Sequence, residues 1–158
     1  MNKFFKILTF FVLIFAVNAC SYKPIFLKKN YDFKIEEIIL SGSKDVNSII
    51  NNRLKFFGNN NENYNKTYLI NINTDKRKKI ISKDSKGDPS KFEISITTSY
   101  QVINLEKTLI NRKINKKNNY NNETDKFKLE QSEKIIVENL SEKIVDEIIT
   151  SLINLNDN

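Results

Sequence analysis

Val17-Asn18-Ala19-Cys20 closes an apolar run just ahead of Pro24, the first proline of the chain. A small residue followed by cysteine at such a point is the pattern of the bacterial lipobox. There the thiol is acylated and the precursor is cut before the cysteine. Lys3 and Lys6 provide a basic start, and residues 7–17 are apolar except for Thr9, which is the layout of a secretory signal peptide. A spanning helix needs about 20 apolar residues, and the run stops short of that at Asn18. The expectation is a signal peptide over residues 1–19, a lipidated extended tether over 20–30 and a single domain over 31–158. An ordinary signal peptide with an incidental cysteine is the alternative reading.

Cys20 is the only cysteine, so no intramolecular disulfide can form. The sequence has no histidine, which removes the commonest general base and the commonest metal ligand together. Cys-His and Ser-His-Asp catalysis are excluded. Carboxylate chemistry, a Ser-Lys dyad or a calcium site would remain, but none has a recognisable signature, and we expect neither catalysis nor a cofactor. The net charge is +7, and loss of Lys3 and Lys6 with the signal leaves +5 on residues 20–158. An exported, lipid-anchored chain meets lipid phosphates rather than the chromosome, so membrane surfaces are the expected polyanion and nucleic acid is not a partner. Heavy use of Lys and Asn throughout explains the same charge as compositional bias on a solvated surface. Composition leaves both explanations open.

The elements that must position these groups follow from periodicity. Residues 31–40 alternate as a strand, with Tyr31, Phe33 and Ile35 on one face. Ser41-Gly42-Ser43 turns the chain, and Ser43 can cap a helix from about Asp45 to a C-cap at Gly58. Its apolar stripe is Val46, Ile49, Ile50, Leu54 and Phe57. A polar loop over 59–65 leads to a strand over 67–74, with Tyr68, Ile70 and Ile72 on one face and the basic run Lys76-Arg77-Lys78-Lys79 immediately after it. Ile80 and Ile81 can extend this strand before a turn at Ser85-Lys86-Gly87-Asp88-Pro89.

Phe92, Ile94, Ile96, Thr98, Tyr100 and Val102 carry the clearest period of two, which predicts the longest strand, in the middle of the sheet. A tight turn near 104–107 then leads to a partner strand over 108–115. A last helix over 129–155 sets Ile136, Val137, Leu140, Ile144, Ile148 and Leu152 inward and Glu133, Glu138, Glu142, Lys143 and Glu147 toward water. The order β-α-β-β-β-α predicts an α+β fold: a mixed four-stranded sheet with a parallel first pair, right-handed crossover and two helices on one face.

On these residues the chain resembles the LptE-type lipopolysaccharide-assembly lipoproteins of the Gram-negative outer membrane. Cys20-Ser21-Tyr22-Lys23-Pro24-Ile25-Phe26 is similar to that family's mature start: cysteine, small, aromatic, basic, proline, aliphatic, aromatic. Tyr120-Asn121-Asn122-Glu123-Thr124-Asp125-Lys126-Phe127 looks like its tyrosine-asparagine segment before the last helix, and Ser132-Glu133 resembles the residues that open that helix. Element order agrees along essentially the whole mature chain. Ser21 stands where glycine is frequent, and Ile, Glu and Lys replace the family's alanine-rich final helix.

The resemblance implies a lipoprotein that acts without turnover. It would plug a large outer-membrane β-barrel, help that barrel assemble, and contact lipopolysaccharide on its way to the outer leaflet. It also implies outer-membrane sorting, since Ser21 rather than aspartate follows the cysteine. Acyl chains on Cys20 would hold the protein at the periplasmic side, several chains giving stable anchoring where one is marginal. Lys76, Arg77, Lys78 and Lys79, with Lys113, Lys116 and Lys117, could present positive charge to the phosphorylated sugar-lipid. Alternatively, these are edge lysines that discourage sheet-to-sheet aggregation, or simply solvated charges. Tyr68, Phe92 and Tyr100 read as core packing, whereas Tyr22 and Phe26 fit either a barrel wall or the domain's own underside. The rival functions are a generic outer-membrane lipoprotein that binds a periplasmic enzyme or peptidoglycan, and a small lipid-anchored hydrolase, against which the missing His and free Cys argue.

Overall fold

The computed structural model describes residues 33–58 and 64–156. Residues 1–19, Cys20, the tether with Tyr22 and Phe26, and residues 59–63 of the polar loop lie outside that range.

The chain forms β1 (Phe33–Gly42), α1 (Lys44–Gly58), β2 (Lys66–Lys83), β3 (Pro89–Asn104), β4 (Lys107–Asn121) and α2 (Lys126–Asn156). The strands make one sheet in the order β1-β2-β3-β4, with β1 parallel to β2 and the other pairs antiparallel. This is the expected α+β architecture. β1 and β2 are joined by a helix and run parallel, whereas tight turns join the antiparallel pairs.

The alternating apolar residues of β2 and β3 form one face of the sheet. Tyr68, Ile70, Ile72, Ile94, Ile96, Tyr100 and Val102 are buried there with Ile110 and Ile114 of β4. Both helices cover this face, α1 through Val46, Ile50 and Leu54, α2 through Ile136, Val137, Leu140, Ile144, Ile148 and Leu152. Each such side chain contributes about 1.5–3 kcal/mol when fully buried. Tyr68 and Tyr100 belong to this core as expected, while Phe92 is only half-buried and stacks on Tyr120 with ring centroids 5.6 Å apart.

Several expectations need correction. β2, at 18 residues, is longer than β3, at 16. The basic run does not follow the strand but lies inside it, paired residue by residue with β3 from Lys76↔Ile96 to Lys79↔Glu93. Alternation explains this, because successive lysines point to opposite faces and their charges reach water without breaking the ladder. β4 continues to Asn121, not 115.

α2 starts at Lys126 rather than 129, because Asp125 Oδ1 accepts from the backbone N–H groups of Phe127 at 3.0 Å and Lys128 at 3.3 Å. Ser132 and Glu133 therefore lie inside the helix and do not open it. β1 alternates only as far as a bulge between Ile35 and Glu37, after which Ile38 and Leu40 turn to the core and Ile39 turns out.

The corner between β1 and α1 is tightly built. Gly42 has φ +94°, and a Cβ there would stand 1.8 Å from the Thr74 carbonyl oxygen. Ser43 precedes α1 and its carbonyl accepts from Asn47 N–H, but its hydroxyl accepts from Lys76 N–H at 3.1 Å. The capping residue thus ties the helix start to β2. Gly58 ends α1 without a positive φ; its hydrogen leaves room for Ile35, whose Cβ would stand 3.1 Å from an added methyl.

Candidate functional site

The seven cations singled out in the sequence divide between two faces. Side chains on a strand alternate, and directly paired residues share a face. Lys76 and Lys78 therefore stand with Ile96 and Ile94 on the helix-covered face, as does Lys116, which also pairs with Ile96. Arg77 and Lys117 flank Ser95, Lys79 pairs with Glu93, and Lys113 with Ser99, all on the opposite face. The structure therefore does not bring the seven together as one patch.

The helix-side cations are engaged. Lys76 bonds to Asp45 in the first turn of α1, and Lys116 to Glu147 of α2. Lys78 Nζ donates to Glu133 Oε1 at 2.5 Å and lies 4.5 Å above the Phe92 ring. Tyr120 Oη donates to the same carboxylate oxygen at 2.7 Å. Glu133, read from sequence as facing water, instead faces the sheet and is half-buried. Burial raises its pKa, but the hydrogen bonds from Lys78 and Tyr120 outweigh that and hold it below the ordinary range. Asp45 follows the same pattern: burial pushes it up, and the bond from Lys76 brings it lower. Burial first, then the hydrogen bond to Glu133 and its charge, push Tyr120 well above the usual tyrosine value.

The other face of the sheet is uncovered among the described residues, and it is polar apart from Ile39, Leu69 and Ile103 toward one end. Asn71, Gln101 and Asn111 form one row across it, and Asn73, Ser99 and Lys113 the next. A shallow cavity of about 240 Å³ lies over these rows. Farther along, Arg77 Nε bonds to Asp75 at 2.7 Å, while Glu93 receives Lys79 at 2.9 Å and lies 3.6 Å from Lys117. Glu93 is only 7% exposed, and the hydrogen bond from Lys79, ahead of the Lys117 charge, lowers its pKa.

Arg77, Lys79, Lys113 and Lys117 thus share one open face, where Asp75 bonds to Arg77 and Glu93 to Lys79. Such a set can bind phosphates, Arg77 in bidentate fashion and the lysines as point charges. Sequence reading did not find the carboxylates that neutralise the other three cations. Asp45, Glu133 and Glu147 become partners only through the packing of the helices on the sheet. No helix among the described residues is long and apolar enough to cross a membrane.

No protein-family model and no curated protein sequence matches the chain, but solved structures do. The rare lipoprotein B of Shewanella oneidensis is similar at 17% identity with a TM-score of 0.55, over 76% of this chain and 98% of that one. A minor lipoprotein of Acinetobacter baumannii is similar at 15% identity and a TM-score of 0.53, over 77% of this chain and 92% of that one. The uncharacterized lipoprotein B of Nitrosomonas europaea is similar at 12% identity and a TM-score of 0.56, over 85% of this chain and 91% of that one. At these identities the likeness is one of fold: the sheet and two helices described above are the fold of three bacterial lipoproteins, shared over nearly their whole length.

Proposed function

We propose that the chain is an outer-membrane lipoprotein, acylated on Cys20 and facing the periplasm, that plugs and helps assemble the β-barrel lipopolysaccharide translocon and contacts lipopolysaccharide during delivery to the outer leaflet. One observation carries this reading: the domain that follows Cys20 has the fold of the rare lipoprotein B over 98% of that solved chain. The open sheet face supports it, because a barrel lumen is polar and a plug needs a polar, rigid surface toward the wall. The role requires no turnover and no cofactor. The ligand contact narrows from seven cations to Arg77, Lys79, Lys113 and Lys117, since these four share the face that no helix covers among the described residues, Arg77, Lys79 and Lys117 sharing it with their partners Asp75 and Glu93.

The deciding experiment is affinity purification of a C-terminally tagged full chain from detergent-extracted outer membranes. Recovery of one large β-barrel in equal amount supports the translocon role. Recovery of the chain alone, or with a periplasmic enzyme or peptidoglycan, assigns it instead to generic lipoprotein binding. For the ligand, Arg77→Glu combined with Lys117→Glu should weaken lipopolysaccharide binding, and unchanged binding would remove that contact from the reading.

A further inference from the structure

β2 is an inner strand for half its length and an edge strand for the rest. Its pairing with β1 ends at Gly42↔Thr74, while β2 itself runs on to Lys83. Past Thr74, among the described residues, the outer edge of its backbone meets only the Ser43 hydroxyl, which accepts from Lys76 N–H at 3.1 Å. That bond fixes the direction in which Lys76 presents its backbone groups. In an antiparallel ladder alternate residues point the same way, so Lys78 and Ile80 also turn their N–H and C=O groups outward.

Two of these edge residues, Lys76 and Lys78, also line a cavity on the helix side. It measures about 240 Å³ and is bounded by Asp45, Lys76, Lys78, Ile94, Glu133 and Val137. Ile94 and Val137, 3% and 8% exposed, give it an apolar floor beneath a charged rim. A bare strand edge beside a helix-walled pocket is the arrangement in which an extended peptide adds as a further strand, main-chain bonds giving affinity and pockets for alternate side chains giving specificity.

From this juxtaposition we infer that β2 from Lys76 to Ile80 is a docking edge for an extended partner segment whose residues alternate between apolar and acidic. The alternation follows from the two faces of the edge. Side chains of an added strand opposite Lys76 and Lys78 face the cavity with its Ile94 and Val137 floor, which suits apolar groups. Those opposite Arg77 and Lys79 stand on the open face, where cross-strand acidic groups are favoured.

Edge lysines ordinarily discourage strand addition. Here they exclude basic strands and a second copy of this edge, which would set like charges against each other, while leaving an acidic strand welcome. This inference does not rest on the translocon reading, since neither barrel nor lipopolysaccharide enters it.

The test uses the full chain in detergent micelles and a fluorescent synthetic peptide alternating valine and glutamate, followed by anisotropy and amide hydrogen exchange. Saturable binding that protects the Lys78 and Ile80 amides is expected. Ile80→Pro removes an outward N–H that β3 does not use and should weaken binding about fivefold to tenfold, the value of one backbone hydrogen bond. Should that variant lose its native circular dichroism, Arg77→Glu provides the independent reading, with preference moving from the valine-glutamate peptide to a valine-lysine one. Absence of binding, protection confined to β4, or an unchanged preference in Arg77→Glu would overturn the inference.

Discussion

The hydroxyl of Tyr100, in the second half of β3, donates to Ser151 Oγ of α2 at 2.9 Å, both residues buried between the sheet and the final helix. Ser151 passes the chain on by donating to the Glu147 carbonyl at 2.9 Å. This buried link joins the Lys78–Glu133, Tyr120–Glu133 and Lys116–Glu147 bonds in tying the last helix to the sheet.

Removing both partners of that link should cost less than the two single removals added together. Ser151→Ala strands the tyrosine hydroxyl and is expected to lower stability by about 1–3 kcal/mol, Tyr100→Phe by about 1 kcal/mol, and the pair by less than the sum. Urea denaturation of the single and double variants measures the coupling, and strict additivity would show that the bond contributes nothing.

Thr98 sits on the core face with 0% exposure, and its hydroxyl has no hydrogen-bond partner among the described residues. Replacing an unsatisfied buried hydroxyl by a methyl of the same shape removes a desolvation penalty. Thr98→Val should raise stability by about 1 kcal/mol, read as a higher urea midpoint with an unchanged slope. A lower midpoint would mean that the hydroxyl finds a partner in solution.

Gly42 and Gly87 both have positive φ, yet their surroundings differ. An alanine methyl at Gly42 would meet the Thr74 backbone at 1.8 Å, whereas at Gly87 nothing lies within 4 Å. Gly87→Ala should cost about 1–2 kcal/mol of left-handed strain. Gly42→Ala should cost about 3 kcal/mol or more, since a backbone carbonyl must also move. Equal thermal shifts for the two variants would contradict the close approach.

Glu133 and Tyr120 predict opposite pH limits. Glu133 titrates below its ordinary 4.5 in the folded chain, so the unfolded chain takes up the proton first. Its contribution is present above pH 4.5 and fades as pH falls through the lowered folded value. Tyr120 titrates above its ordinary 10.0, so its contribution is present below pH 10.0 and fades as pH rises beyond it. Glu133→Gln should flatten the acid limb of the stability profile, and Tyr120→Phe should remove a component of tyrosinate absorbance that rises above pH 10.0. A profile that keeps its acid limb in Glu133→Gln would assign that limb to other carboxylates.

The fold was legible where burial is one-sided. Tyr68, Ile70 and Ile72, and the run from Ile94 to Val102, show their pleat directly in the order of apolar and polar residues. Lengths were less legible, because Lys76 to Lys79 read as a break, though a strand accommodates four cations when they alternate between faces. The start of α2 was missed because Asp125 precedes polar residues rather than the apolar stripe, although an acceptor followed by Leu129 was the available signal. The candidate site was half legible. Cations are visible in a sequence, but whether Glu133 or Glu147 lies close enough to neutralise one depends on helix packing that no local pattern encodes.

The parallel pairing of β1 with β2 also has a consequence in time. Short turns bring β2, β3 and β4 together, whereas β1 must close a far longer loop through α1, pairing Phe33 with Lys66 and Gly42 with Thr74. Such non-local contacts carry the larger closure entropy and form late. The strand made first during synthesis is thus the last to find a neighbour, so order of emergence and order of assembly run in opposite directions. A chain halted in synthesis before Lys83 would hold β1 and α1 with no complete β2 to receive them, and the strand made first would be the one left waiting.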